Sequence, residues 1–397
     1  MDGIIEGDCL TFAEGSATSN VLIRETMDAV SHLRDLKVWF GVLITGHGLS
    51  GRGSKAGTYA GFLGARELVE RGEASIHPVP YSMLGRFLSG GAWKVSVLVA
   101  SGCRTGERIR VGPHLGAIGS CIAGARLTIV QPTTELPEVA GTLIDADCRV
   151  IELPESANRL PELEDVQPSA IEAAMASHVA VLVPDGATIE LGIGGTIDAV
   201  ARGLANKSRL GVHTGLMSDA SQFLMSCGAV TNCHKAFEPG RSVATGLLGS
   251  RALYRFAHQN DQLLLCPAEM THSATILQNE PCFVAINSAL EVDLAGQVNC
   301  EAVEGRYIGA VGGVPDFHNA AYGHRNGRAI IALASQAPSG RSRIVARLSG
   351  PATLPASVAD VVVTEFGIAS LRDRSLEERR NALIAIAHPD HRRRLAG

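Results

Sequence analysis

The chain has 397 residues, of which 46% are hydrophobic and 19% are charged, and its net charge is -5. This length predicts two domains that each bury a core, and the weak negative charge gives no electrostatic case for a nucleic-acid partner. The N-terminus lacks the pattern of a secretory signal and no apolar run reaches membrane-spanning length, so we expect a cytoplasmic protein without a membrane segment. Nine cysteines without CxxC spacing are typical of free thiols in a reducing compartment, and we expect no metal site.

The first half alternates apolar runs with a helical pattern. Residues 38–45, 95–100 and 127–130 predict buried parallel strands, and the apolar periodicity of residues 57–72 predicts a helix. Residues 152–167 are rich in proline and acidic side chains and predict a linker or a long surface crossing. The alternation predicts an α/β protein.

A glycine turn stands near the start of the second half. Residues 169–177 predict a helix, and residues 179–183 together with Ile189 and Leu191 predict strand that leads into the turn at 192–195. The apolar spacing after the turn predicts a second helix. Such a turn presents backbone N–H groups that bind a phosphate, a carboxylate or a thioester oxyanion, although glycine turns also close α/β units for steric reasons alone.

Five later segments are informative through their order. They read VAINSALEVDLAGQV at 284–298, GGVPDF at 312–317, NGRAIIALAS at 326–335, VVVTEFGIASL at 361–371 and RRNALIAIAHPDHR at 379–392. Together they resemble the acetyl-CoA hydrolase/transferase family, which includes acetate and 4-hydroxybutyrate CoA-transferases. The resemblance is close from about residue 184 onward and weaker before it.

The resemblance implies an organisation for the whole chain. We expect two α/β open-sheet domains of the CoA-transferase type, at 1–168 and 169–397, with the site in the cleft between them. We expect a homodimer. Its small-molecule partner is expected to be an acyl thioester, with coenzyme A as the thiol part of that substrate.

One position departs from the family. Its nucleophilic glutamate, which attacks the acyl-CoA carbonyl and then carries CoA as a glutamyl thioester, directly follows a His-Thr pair. Here His213 and Thr214 are followed by Gly215, which has no side chain to form that intermediate. The neighbouring Leu216 and Ala220 also differ from the family, which indicates natural divergence. We therefore predict a reacting centre at 213–215, with His213 either a general base or a buried structural histidine.

Two glycine loops are the predicted binding elements. By resemblance, Gly192, Gly194 and Gly195 on one side and Gly312 and Gly313 on the other flank the acyl thioester and hold the pantetheine arm. Acyl transfer needs N–H donors directed at the developing oxyanion, and glycine lets the backbone approach it closely. The alternative interpretation is that they are turn glycines.

Three other side chains are candidates to replace the missing nucleophile. Asp219 is better explained as the N-cap of a helix that begins near Ser221. Glu291 shares a strand face with Asp293, and hydrogen bonding to loop backbone is the favoured role. Cys227 lies toward the end of a helix, where packing is expected rather than activation of the thiol.

The preferred hypothesis is an enzyme that acts on a CoA or related acyl thioester without a glutamyl-CoA intermediate. It would work by hydrolysis, by intramolecular cyclisation or by acyl transfer with thiol release, because oxyanion donors alone still contribute to acyl transfer. One alternative is a conventional acyl-CoA:carboxylate CoA-transferase that uses another carboxylate. Another is a non-catalytic acyl-CoA-binding protein.

Overall fold

The structure is a computed structural model that describes residues 1, 3–46, 55–133, 135–164 and 168–397. It divides into two compact units. Unit 1 comprises Met1–Glu164, Val243–Thr271 and Tyr307–Gly312, and unit 2 comprises Asp165–Ser242, His272–Arg306 and Gly313–Gly397. The predicted domains, 1–168 and 169–397, stay a prediction. Within the described ranges, no helix is both long and apolar enough to span a membrane.

The elements alternate between strands and helices, which confirms the predicted α/β class. The strands are β1 (Cys9–Phe12), β2 (Lys37–Phe40), β3 (Lys55–Thr58), β4 (Ala74–Ile76), β5 (Val97–Thr105), β6 (Arg108–Val111), β7 (Leu127–Gln131), β8 (Leu143–Asp145), β9 (Arg149–Glu152), β10 (Thr188–Leu191), β11 (Gly211–Met217), β12 (Ser242–Leu247), β13 (Leu263–Leu265), β14 (Phe283–Asn287), β15 (Glu291–Asp293), β16 (Val298–Asn299), β17 (Ala302–Val303), β18 (Arg306–Tyr307), β19 (Arg328–Ala332), β20 (Ile344–Val345), β21 (Val361–Thr364) and β22 (Gly367–Ser370). The α-helices are α1 (Asn20–Ala29), α2 (Gly64–Glu70), α3 (Leu84–Ser89), α4 (Ile118–Gly124), α5 (Ala170–Leu182), α6 (Gly195–Gly203), α7 (Asp219–Ser226), α8 (Arg251–Ala257), α9 (Ala268–Thr271), α10 (Ala274–Gln278), α11 (Val314–Gly323), α12 (Leu376–Ile386) and α13 (Pro389–Ala396).

Unit 1 is built on a mostly parallel sheet. Its strands follow the order β4-β3-β2-β1-β5-β7-β9 with parallel pairing throughout, and β6 and β8 extend β5 in antiparallel fashion. The three predicted strands are confirmed as β2, β5 and β7, although β2 ends at Phe40 and residues 41–45 of the first prediction are not strand. The helix predicted over 57–72 is wrong at its start, because Gly57 and Thr58 belong to β3, which pairs with β2 and β4. Only the later part forms α2.

The first helix of unit 2 is longer than predicted. It starts after Ser169, which forms a capping box with Glu172. The strand predicted over 179–183 is wrong, since α5 continues to Leu182. Met175, Ala176 and Val179 are buried at helical spacing, and a short apolar run of this kind has the same pattern in a buried helix as in a buried strand.

The unit 2 sheet determines which residues share a face. Its strands follow the order β11-β10-β14-β19-β21-β22, and the pairing is parallel except between the last two. Ile189 and Val284 pack in a core with α5 and α6, whereas Phe283 and Ala285 pack with α11 on the opposite face. Because side chains alternate along a strand, the register places Glu190 with Ala285 on the α11 face.

Candidate functional site

The predicted glycine turn connects β10 with α6, which confirms the predicted turn and the helix after it. Gly194 has a φ of +107°, a conformation that favours glycine. A methyl carbon on Gly192 would lie 2.8 Å from Oδ1 of Asn287, so glycine is also required there for space. The Gly192 N–H donates to the Ile286 carbonyl at 2.9 Å, which holds the turn against β14.

The turn offers hydrogen-bond donors. In the described part of the chain, the N–H groups of Gly194 and Gly195 have no backbone or side-chain acceptor, as expected at the start of a helix. A Cβ on Gly195 would lie 3.0 Å from a carboxylate oxygen of Glu172. Because this negative charge stands beside the donors, it repels a doubly charged free phosphate more strongly than the single charge of an oxyanion.

Two of the predicted glycines meet at one imidazole that the sequence analysis missed. A Cβ on Gly215 would lie 3.3 Å from Nε2 of His272, and a Cβ on Gly313 would lie 2.6 Å from the same nitrogen. His272 is 4% exposed and packs on Phe317 with ring centroids 4.4 Å apart. The basic nitrogen Nε2 of His272 therefore lies between β11 and Gly313, the residue that precedes α11.

His213 and Thr214 lie within β11. His213 is fully buried, and its ring centroid is 5.7 Å from that of Phe237. The hydroxyl of Thr214 donates to the Leu191 carbonyl at 2.8 Å, which fastens β11 to β10. A catalytic role for His213 stays a prediction, because the contacts of its ring with Phe237 also suit a structural histidine.

Glu190 is a second buried group that the sequence analysis did not single out. Asn287 donates to it through Nδ2 at 2.7 Å, and burial raises the pKa of Glu190 to about 8. The carboxyl is therefore mainly protonated at neutral pH, which makes it a poor nucleophile. Asn287 thus donates to Glu190 and also packs beside Gly192. The Glu190–Asn287 pair therefore supports the glycine turn.

Gly312 belongs to unit 1, where it adjoins a buried polar cluster. Its carbonyl accepts from the Tyr81 N–H at 2.9 Å. The Tyr81 and Tyr59 hydroxyls donate to Oε2 of Glu14 at 3.0 and 2.9 Å, and Nε2 of His114 is 3.1 Å from the Tyr81 hydroxyl. Burial raises the pKa of Glu14 to about 7. Glu14, Tyr59 and Tyr81 follow β1, β3 and β4, at the carboxyl edge of a parallel sheet, where ligands commonly bind.

The three candidates for a replacement nucleophile lie in surroundings that suit structural roles or plain exposure. Asp219 lies in the first turn of α7, and the N-cap is Ser218, so the predicted cap is wrong. Glu291 accepts from the Ser349 N–H at 2.9 Å, which confirms hydrogen bonding to loop backbone. Cys227 is exposed at the C-terminal end of α7, so the predicted packing is wrong. Within the ranges that the structure describes, no group of three potential metal ligands is found.

Comparison with known sequences points to one family. Residues 249–397 match the acetyl-CoA hydrolase/transferase C-terminal domain. A 4-hydroxybutyrate coenzyme A transferase from Clostridium kluyveri is 35% identical over 274 residues, which are 68% of this chain and 64% of that relative. A succinyl-CoA:cyclohexane-1-carboxylate CoA transferase from Geobacter metallireducens is 32% identical over 333 residues, which are 83% of this chain and 76% of that relative. The match thus spans less than two thirds of the length of the first of these relatives.

Solved structures have the same fold. RipA from Yersinia pestis superposes with a TM-score of 0.88 at 25% identity and covers 99% of this chain and 94% of its own. A 4-hydroxybutyrate CoA-transferase from Porphyromonas gingivalis superposes with a TM-score of 0.79 at 25% identity and covers 100% of this chain and 94% of its own. The predicted CoA-transferase type of fold is confirmed.

Proposed function

The chain belongs to the acetyl-CoA hydrolase/transferase family, and we propose that it cleaves the thioester of an acyl-CoA by transferring the acyl group to water. Gly215 carries this proposal, because it occupies the position that the resemblance assigns to the nucleophilic glutamate. A glycine cannot take up CoA as a side-chain thioester. The imidazole of His272, whose Nε2 lies 3.3 Å from the position of a Cβ on Gly215, supplies a base instead.

The proposed reaction takes place in one addition and one elimination. Nε2 of His272 accepts a proton from water as the water oxygen bonds to the thioester carbonyl carbon. The tetrahedral intermediate then expels the CoA thiolate as the C–S bond breaks, and the imidazolium returns the proton to sulfur. The products are a carboxylic acid and CoA, and no protein atom is covalently modified.

Backbone N–H groups are the proposed donors to the oxyanion. Those of Gly194 and Gly195 have no acceptor in the described part of the chain. Donors that are already in place before the negative charge develops are worth roughly 10²–10³-fold in rate each. The Gly312–Gly313 loop is the proposed second wall of the thioester site, and the thioester of coenzyme A is the proposed substrate.

Two buried carboxylates of unit 2, Glu190 and Glu291, support hydrolysis over a conventional transferase. Glu190 is buried, and burial raises its pKa to about 8, so little of it is the nucleophilic anion at neutral pH. Glu291 is fully buried and accepts hydrogen bonds from Arg341 and Ser349, which disfavours its release for attack. Neither carboxylate is suited to replace the missing glutamate.

A CoA-release assay in ¹⁸O-labelled water tests the proposal. Acetyl-CoA and 4-hydroxybutyryl-CoA serve as probes, and free thiol is measured together with ¹⁸O in the released acid. We expect one labelled oxygen per acid, and His272→Gln should lower kcat by roughly 10²–10⁴-fold. His234→Gln, a change at an exposed histidine of the same unit, is the matched control and should leave kcat unchanged.

Other outcomes separate the alternatives. Thiol release with a lactone in place of labelled acid indicates cyclisation, and exchange of labelled acetate into acetyl-CoA indicates a transferase. Acyl-CoA that raises the melting temperature without any turnover indicates a binding protein. Undiminished release by His272→Gln refutes the role of His272. The cytoplasmic location, the homodimer and the inter-domain cleft stay predictions, and size-exclusion chromatography tests the dimer.

A further inference from the structure

Unit 1 carries a surface pocket of about 280 Å³ that the proposed function does not use. One wall is a single face of α8 and the residue that follows it. Arg251, Tyr254, Arg255 and His258 recur at intervals of three and four residues, so they lie side by side along the helix. The opposite wall comes from Leu136 and its neighbours after β7 and from the crossing segment at Leu160.

The pocket is held by hydrogen bonds across its walls. The Tyr254 hydroxyl donates to the Pro161 carbonyl at 2.7 Å, and the Arg251 N–H donates to Glu162 at 3.0 Å. At the other end, the Glu138 N–H donates to Nδ1 of His258 at 3.1 Å. The crossing segment and the loop after β7 are thus each fastened to α8, which gives the pocket a defined shape.

Two donors in this pocket have no acceptor among the described residues. Arg255 is exposed and makes no hydrogen bond or ion pair within those ranges. Because Nδ1 of His258 accepts a hydrogen bond, the proton of the neutral ring is on Nε2, which has no partner in the same part of the chain. The guanidinium of Arg255 and the imidazole N–H of His258 therefore border the pocket side by side.

The remaining charges limit which anion fits. Arg251 is shared between Glu135 and Glu162, each at 3.6 Å, so its charge is largely compensated. Glu135 itself lines the pocket, and it repels a doubly charged anion more strongly than a singly charged one. Leu136, Leu160 and the ring of Tyr254 add apolar surface that an inorganic anion would leave uncovered.

We propose that this pocket binds a small organic carboxylate that carries a short apolar chain. The carboxylate pairs with the guanidinium of Arg255 and accepts from Nε2 of His258, in the charge-assisted geometry that arginine favours. The chain covers Leu136, Leu160 and the ring of Tyr254. This site is independent of the thioester chemistry proposed above.

Calorimetric titration of the full chain with hexanoate tests the site. Hexanol has the same chain without a charge, and acetate has the charge with almost no chain. We expect hexanoate to bind more tightly than either, and we expect affinity to fall as salt rises. Arg255→Gln should weaken hexanoate binding by about tenfold or more, and His258→Gln should weaken it to a smaller extent.

The control is Arg24→Gln, which neutralises an exposed arginine on α1 and should leave hexanoate binding unchanged. Absence of hexanoate binding at about 10 mM overturns the proposal. Equal binding of hexanol, or binding that Arg255→Gln does not weaken, also overturns it. Because none of the probes is a thioester, these results do not depend on whether the chain hydrolyses acyl-CoA.

Discussion

Replacing Gly313 with alanine tests the placement of His272 directly. The new methyl carbon would lie 2.6 Å from Nε2 and 2.8 Å from Cδ2, whereas ordinary contact begins at 3.4 Å. The imidazole must therefore retreat by about 0.8 Å. Overpacking of this kind costs about 1–3 kcal/mol of stability, and a misplacement of about 1 Å at a reacting group costs roughly 100-fold in rate. We expect CoA release to fall by roughly 10–100-fold.

Gly215→Ala is the matched control, because it adds the same methyl group beside the same nitrogen. There the carbon would lie 3.3 Å from Nε2, so the required shift is about 0.1 Å. We expect a loss of stability below about 0.5 kcal/mol and a rate within a few-fold of the parent.

Chemical denaturation and thiol release measure both variants. In a double-mutant cycle, His272→Ala should remove most of the stability cost of Gly313→Ala. Equal effects of the two alanines, or a coupling energy of zero with His272, would refute the argument.

Three further predictions concern the intermediate, the missing nucleophile and pH. The intact mass should stay unchanged after incubation with acyl-CoA, and a stable adduct on any side chain would revive the transferase alternative. Gly215→Glu should lower CoA release and restore some exchange of labelled acetate into acyl-CoA. The exchange should be greater when His272→Ala clears space for the glutamate. If the variant folds and binds CoA but shows neither change, the reacting centre is not at Gly215. Burial raises the pKa of Glu14 from 4.5 to about 7, so the folded state holds this proton more tightly and stability declines as pH rises from about 4.5 to about 7. Glu14→Gln should flatten that decline by on the order of 3 kcal/mol in calorimetric scans against pH, whereas Glu25→Gln, at an exposed position on α1, should not. Identical slopes for Glu14→Gln and the parent contradict the prediction.

The local sequence pattern was sufficient to predict those strands and turns that are determined by residues adjacent in the chain. The parallel strands β2, β5 and β7 were predicted from apolar runs, and the turn before α6 was predicted from glycines between an apolar segment and helical spacing. The strand predicted over 179–183 failed because a buried helix and a buried strand both read as a continuous apolar run. Cys227 was expected to pack near the end of a helix; it does lie where α7 ends, but its side chain is exposed.

The candidate site was only partly predictable for a different reason. Gly215 and Gly313 were identified because they lie in recognisable segments, whereas His272 lies between α9 and α10 without a motif around it. Its importance comes from packing: the register of β11 and the start of α11 bring two glycines to one nitrogen, and neither relation appears in the local sequence. Glu190 was likewise overlooked, because its raised pKa depends on burial beside Asn287.

The arrangement around His272 requires glycine at 313 and disfavours a long side chain at 215. A Cβ at 313 would overlap the imidazole, and a Cβ at 215 would already touch it. A glutamate at 215 and the imidazole in its present position would therefore compete for the same space. On the proposed mechanism, the absence of a side chain at Gly215 and the position of His272 belong together. The imidazole, which activates water, occupies the space that a nucleophilic glutamate at 215 would need. The glycine loops retain their use under this change, because an oxyanion forms whether water or a carboxylate attacks the thioester.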